Sequence, residues 1–182
     1  MIDIDGSVKL SFLFPAPPSQ AFEYYGDMVR VAGYMPHIDL VDENGDGAYR
    51  MLFDTVEMGT YNIRIYYDVR MECDHDDLAL AVRPTAIPPQ VEPHAGVNDT
   101  TGHGEFFTDA TFRSEGDKTR IIFTMRLNAR LPSPKSMRFV PGRVARKMAA
   151  NFTDKRLEEI AVGFVNRSLA DYPTYRDQVF AD

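Results

Sequence analysis

Residues 61–73 read YNIRIYYDVRMEC, and their spacing decides the fold class. Tyr61, Ile63, Ile65, Tyr67, Val69, Met71 and Cys73 alternate with Asn62, Arg64, Tyr66, Asp68, Arg70 and Glu72, so one face is apolar and the other almost wholly polar. Side chains leave a strand on opposite faces with a period of two, and a dry face backed by a wet one belongs to an antiparallel sheet. A parallel strand covered on both sides would read as an unbroken apolar run.

Outward from that segment the same period recurs. Residues 120–130 place Ile121, Phe123, Met125, Leu127 and Ala129 on one side, residues 105–113 place Phe106, Thr108, Ala110 and Phe112 there, and residues 114–117 (SEGD) supply the hairpin between them. Upstream, Val8, Leu10, Phe12 and Phe14 alternate with polar residues until the prolines of residues 15–18 stop the strand. Ala21, Phe22, Tyr25, Met28 and Val29 then follow helical spacing, with a break near Gly33. Residues 43–47 (ENGDG) predict a hairpin between strands at 38–41 and 48–53, and residues 74–77 turn the chain into Leu78, Leu80 and Val82. Residues 84–104 contain four prolines and predict a long irregular loop. After a second proline-rich stop at residues 131–134, Pro141 suits the first position of a helix reaching about Ala170. Its apolar stripe drifts: Ala145, Met148, Ala149 and Phe152 define one face, and Leu157, Ile160, Ala161 and Phe164 lie further round. A kink near residues 151–154, with Thr153 or Asp154 recapping a second segment, or a broad buried face would each account for the drift.

A sheet with one dry face needs a cover, and the last helix is the element large enough to supply it. The expected fold is therefore α+β, a helix-grip arrangement in which a curved antiparallel sheet of about seven strands wraps around a long C-terminal helix. A chain of 182 residues, 44% hydrophobic and 26% charged, suits one domain over residues 1–182. The single cysteine, Cys73, excludes an internal disulfide and fits a cytoplasmic setting; its place on the apolar face predicts a buried, inert thiol. There is no apolar run of about 18 residues to span a membrane and no basic-then-apolar leader at the start.

A net charge of −7 argues against nucleic acid as a partner. The charge is unevenly placed. Residues 135–156 hold seven basic residues against one acid, Asp154. Arg143, Arg146 and Lys147 share a helix side there, and a peripheral contact with an anionic surface is the functional reading of a face that is otherwise simply solvated.

The opening FPAPPSQAF of residues 14–22, the GYMPH of residues 33–37 and the strand TRIIFTM of residues 119–125 resemble the START-like, or SRPBCC, superfamily over nearly the whole chain. The LPSP exit at residues 131–134 and the LADY at residues 169–172 look like one branch of it, of uncharacterised function, found in bacteria and photosynthetic organisms. The superfamily includes lipid carriers, hormone receptors, aromatic polyketide cyclases and ring-hydroxylating oxygenase domains, so the resemblance implies a cavity between sheet and helix without choosing its contents. An oxygenase role is weakened because the chain lacks a pair of histidines followed by a carboxylate suited to a facial iron site.

The expected cavity lining is Tyr61, Ile65, Tyr67, Met71, Phe106, Thr108, Phe112, Phe123 and Met125 from the sheet, with Met148 and Phe152 from the helix. Methionine and aromatic side chains suit an irregular apolar ligand, and they also suit an ordinary filled core. The leading expectation is a carrier of a lipid-like, isoprenoid or aromatic molecule. The alternatives are a cyclase-like enzyme, which would have a narrower cavity with Tyr61, Tyr67 or Arg50 converging on one point, and an interaction protein using the basic helix. His94 and His103, with Glu92 and Glu105, carry ligating chemistry, but their spacing in a Pro/Gly-rich loop is no ligand motif. No metal and no cofactor is assigned. His37 and His75 fall in turns and suit structural or solvated roles.

Overall fold

The computed structural model describes residues 1–180, apart from the side chain of Arg146. The alternation of the sequence becomes eight strands in one sheet, ordered β1-β8-β7-β5-β4-β3-β2, with the two-residue β6 on β7. The strands are β1 (Ile2–Phe14), β2 (Ile38–Asn44), β3 (Ala48–Glu57), β4 (Tyr61–Asp74), β5 (Ala79–Pro84), β6 (His94–Ala95), β7 (Asp99–Glu115) and β8 (Lys118–Leu131). Between β1 and β2 lie two short helices, α1 (Pro18–Tyr25) and α2 (Met28–Tyr34). A 3₁₀ turn (Lys135–Phe139) leads into the long helix α3 (Gly142–Val179).

β1 pairs with β8 in unbroken antiparallel register from Ile2 opposite Leu131 to Phe14 opposite Thr119. Ile4 and Phe14 of β1 and Ile121, Phe123, Met125, Leu127, Ala129 and Leu131 of β8 are buried, while Lys9, Arg126 and Arg130 on the other face are exposed. One departure from the antiparallel pattern matters for shape. Residues 62–67 of β4 pair in parallel with residues 99–104 of β7, and β5 fits between the remaining lengths of those strands. The strand expected to begin at 105 thus starts at Asp99, and the expected loop shrinks to residues 85–98 with β6 inside it. Thr100, Thr101, Gly102, His103 and Gly104 show no apolar alternation; the backbone of β4 pairs with them and makes them a strand.

α3 covers the dry face. Thr153, Leu157, Ile160, Ala161, Phe164, Ser168 and Tyr172 are buried along one stripe, whereas Ala145, Met148, Ala149 and Phe152 nearer the start are only half-buried. The helix is continuous through residues 151–154, and the Thr153 hydroxyl donates back to the Ala149 carbonyl at 2.8 Å instead of capping a second segment. What changes along the stripe is depth. The helix also runs beyond Ala170 and through Pro173 to Val179. Its last turns are held by packing: Tyr175 lies 4.9 Å from the Tyr24 ring and carries the Arg30 guanidinium 4.3 Å from its own ring centre.

The helix packs directly onto the sheet backbone at Gly6 of β1. A Cβ there would stand 2.5 Å from Leu157 Cδ1 and 2.7 Å from Thr153 Cγ2. In an unencumbered strand valine would be the better residue. Gly6→Val is expected instead to cost about 1–3 kcal/mol by overpacking. Urea unfolding reads this directly, and a midpoint at or above that of the parent would contradict so close a contact.

Candidate ligand cavity

The inner face of the sheet is divided. In its middle Met51, Tyr67, Phe106 and Met125 are wholly buried, and only about 10 Å³ of space remains, beside Tyr67. On either side of that plug lies an apolar gap. The one towards the end of α3 encloses about 30 Å³, or about 370 Å³ with its open mouth, and includes Met71, Thr108, Phe112 and Phe123 from the expected lining, with Tyr25, Val31 and Phe164. The other lies beneath the start of α3, encloses about 60 Å³, or about 520 Å³ with its mouth, and includes Tyr61, Met148 and Phe152. Ile65, Tyr67 and Phe152 border the small central space. Phe106 and Met125 border none of these spaces and serve as packing.

Three residues of the gap under the helix start, Ile2, Met58 and Met137, were not singled out from the sequence. Ile2, with Ile4, continues the alternation of β1 and lies six residues before the expected start at Val8, a signal present in the sequence. Met58, in the β3–β4 turn, and Met137, in the 3₁₀ turn, belong to no periodic pattern, and only tertiary folding brings them to the gap. Two polar side chains at this gap are already engaged, and the half-buried Tyr61 is the third. The Glu57 carboxylate accepts from Thr55 Oγ1 at 2.9 Å and from Arg156 Nε at 2.8 Å, and Thr100 Oγ1 donates to the Pro132 carbonyl at 2.7 Å.

Tyr67 differs from them. It is wholly buried, its hydroxyl has no hydrogen-bond partner, and burial pushes its pKa well above the ordinary phenol value. An unpaired buried hydroxyl costs about 1–3 kcal/mol.

The expected meeting of Tyr61, Tyr67 and Arg50 does not occur. Arg50 pairs across β3 and β4 with Asp68, the neighbour of Tyr67, and successive residues face opposite ways. Arg50 therefore lies on the far side of the sheet, beneath residues 85–90. Its Nε and Nη2 donate to the two Asp68 carboxylate oxygens at 2.6 and 2.9 Å, and Nη1 donates to the Pro89 carbonyl at 3.0 Å. The Ile87 amide donates to Asp68 Oδ2 at 3.1 Å. His103 Nε2 stands 3.2 Å from the same oxygen but is not aligned for a hydrogen bond. Burial favours a protonated Asp68, yet the hydrogen bonds from Arg50 and the Ile87 amide outweigh it and hold the carboxyl below its ordinary value.

Other polar candidates disperse. His94 is exposed on β6, opposite Thr101, and among the described residues no three His, Cys, Asp or Glu side chains are grouped to hold a metal. Cys73 is exposed, contrary to expectation: it keeps the apolar phase of β4 but lies where α3 no longer covers the sheet. The His75 ring packs 5.0 Å from Phe22, and His37 Nε2 lies 3.5 Å from Glu159. Arg143 and Lys147 are exposed on α3; the third basic side chain, Arg146, lies outside the described residues.

Polar bonds fix the far end of α3. Tyr34 donates to Asp171, Tyr24 lies 2.6 Å from the Tyr34 hydroxyl and 2.9 Å from the Ser168 carbonyl, and the Tyr25 and Ser168 hydroxyls are 2.8 Å apart. Burial, followed by the bond to Asp171, pushes the Tyr34 hydroxyl up to about 12. The two halves of the helix roof are thus held differently, one by an aromatic and hydroxyl network and the other by half-buried apolar contacts.

No protein-family model matches the chain, and no curated protein matches it by sequence. Solved structures do share its architecture. The Zhui aromatase/cyclase from Streptomyces sp. R1128 superposes with a TM-score of 0.58 at 15% identity, over 97% of this chain and 98% of that one. Human STARD10 gives 0.51 at 11% identity, over 96% and 67%, and the STAR-related lipid transfer protein fragment from Xanthomonas axonopodis gives 0.50 at 14%, over 89% and 85%. The chain has the helix-grip fold that these structures share. No helix among the described residues is long and apolar enough to cross a membrane.

The Arg50–Asp68 pair carries a double prediction. Arg50→Met should cost about 3–5 kcal/mol, because it strands a buried carboxylate, and Arg50→Met/Asp68→Leu should cost less. Folding lowers the Asp68 pKa, so the pair contributes fully above the ordinary carboxylate range and its contribution fades as pH falls towards the folded value. Urea midpoints of the parent and Asp68→Asn should therefore stay apart from neutral pH down to the ordinary carboxylate range and converge only below it; curves parallel throughout would contradict the pairing.

Proposed function

We propose that the chain binds a small apolar molecule, lipid-like, isoprenoid or aromatic, in the gap beneath the first half of α3. One observation carries this: the helix is deeply seated from Thr153 onward and only half-buried before it, over walls of Ile2, Ile4, Ile63 and Leu131. Burial of apolar area supplies the affinity, and Met58, Met137 and Met148 let the walls adapt to an irregular shape. The enclosed space is small, so the start of α3 must rise to admit a ligand of ordinary size. The neighbours described above include a STAR-related lipid transfer protein, which suits carriage, and an aromatase/cyclase, which suits chemistry. A cyclase reading loses its expected constellation, because Arg50 lies on the opposite face from Tyr67. A single cysteine without a disulfide suits a cytoplasmic setting.

Native mass spectrometry of the purified full chain, followed by extraction and identification of retained molecules, tests the proposal. An apolar adduct is expected on the parent, and Met148→Trp, which fills the gap, should reduce its occupancy by about tenfold, as for loss of one good apolar contact. A protein that takes up no apolar molecule, even when equilibrated with an excess of long-chain alcohols, would overturn it.

A second role at the same end is favoured by the exposed apolar residues around the gap mouth. Phe139 is 94% exposed, Met58 62% and Val97 62%, with Lys135, Arg138, Arg143 and Lys147 close by in sequence. The 3₁₀ turn is tied to Val97 by the Ser136 amide and hydroxyl, at 3.1 and 2.7 Å from its carbonyl. Apolar tips among cations suit an anionic bilayer. Phe139→Asp/Arg143→Glu should weaken sedimentation with vesicles of phosphatidylcholine and phosphatidylserine by at least about tenfold at low salt. Equal binding by parent and variant would remove this role without touching the apolar gap.

A further inference from the structure

Tyr67 is the residue whose chemistry the apolar gap leaves unused. Phenylalanine would fill the same volume without an unpaired hydroxyl, so the hydroxyl is either an uncompensated cost or a group awaiting a partner. The surroundings make room for this side chain in particular. A Cβ at Gly104 of β7 would stand 2.6 Å from Tyr67 Cε1 and 2.5 Å from the Asn128 carbonyl. Beside the ring lies the central space of about 10 Å³, walled by Ile4, Leu127, Phe152 and Ile160. Ile4 and Phe152 also wall the gap beneath the start of α3. The half-buried Phe152 ring and Ile4 thus stand between the gap and the space beside Tyr67.

The geometry points to Tyr67 as the hydrogen-bond donor for the inner end of the ligand, which assigns the ligand to a class: an apolar body carrying one neutral terminal acceptor, such as a ketone, aldehyde or ether oxygen. This rests on the apolar gap holding a ligand. Neutrality follows from the charges. Arg156, the one cation among the described residues to border the central space, is already matched by the Glu57 and Glu159 carboxylates, so a ligand anion would find no free counter-charge in it. Thr153 offers no competing donor, because its hydroxyl is spent on the Ala149 carbonyl. The small volume matches about one oxygen-sized atom, so the polar group lies at the ligand's end and the bulk of the molecule stays under α3. The phenol remains protonated at neutral pH, as a donor must.

A matched pair of probes tests this: 2-acetylnaphthalene and 2-ethylnaphthalene, similar in size and differing in the carbonyl. Titration calorimetry on the full chain should show the ketone binding about tenfold more tightly, the worth of one buried hydrogen bond. Tyr67→Phe should erase that preference while leaving the hydrocarbon's affinity unchanged. The variant loses no bond, so its melting temperature should equal or exceed that of the parent; this separates loss of the donor from loss of the fold. A ketone preference that persists in Tyr67→Phe, or no preference in the parent while both probes bind, would overturn the assignment and leave the apolar gap standing. If neither probe binds the parent or Phe152→Ala, the gap itself is refuted, and the role of Tyr67 with it.

Discussion

The burial of one face of a single sheet by a single helix is the constraint on which the molecule depends. Eight strands generate a dry surface that no second sheet covers, and α3 is the only long element available to exclude water from it. The short helices α1 and α2 act through it. Their tyrosines bind the Ser168–Tyr172 stretch and so determine where the helix lies before its first half meets the sheet. Gly6 shows how close that seating is at mid-helix, where leucine and threonine side chains occupy the place of a Cβ. Towards its start the helix has no comparable partner, and the space left there is the apolar gap.

Polar groups follow a matching division. On the outer face the Arg50–Asp68 pair is satisfied by two backbone carbonyls and an amide, and it pins residues 85–90 to the sheet. On the inner face polar atoms are few, and near the gap Glu57 and Thr100 are occupied by neighbours while Tyr61 is only half-buried. Against that background the unpaired hydroxyl of Tyr67 is conspicuous. A buried group that could have been phenylalanine carries specificity in its oxygen, since that atom adds nothing to packing.

The strands at 61–73 and 120–130 were legible in sequence because their inner faces are apolar and their outer faces wet, so period two survives nearly intact. The start of β7 was not, since Thr100 to Gly104 become a strand only through pairing with a segment far away in the chain. Arg50 is a different case. The order Tyr49, Arg50, Met51 already places the arginine opposite the apolar Tyr49 and Met51, and the same phase puts Tyr67 and Asp68 on opposite faces, so the failure of Arg50 and Tyr67 to meet could have been read from alternation alone. Cys73 marks the limit of that rule: phase assigns a face, but burial also needs a cover, and the cover has ended by that point. The division of the cavity by Tyr67, Phe106 and Met125 was beyond sequence, because the same residues line a hollow or fill it depending on how near the helix lies.

The order of elements along the chain has a consequence for biosynthesis. β1 cannot join the sheet until β8 has been made, and the helix that covers the dry face follows every strand along the chain. For most of its emergence from the ribosome the chain carries alternating strands whose apolar sides have no roof. Such surfaces invite strand addition and collapse between neighbouring chains. The charged outer rows and the short loops that favour hairpin closure counter this while the chain waits for its helix. Most of the contacts that secure the native state are therefore long-range and late, and the emerging chain depends on rapid docking of α3 once it is complete.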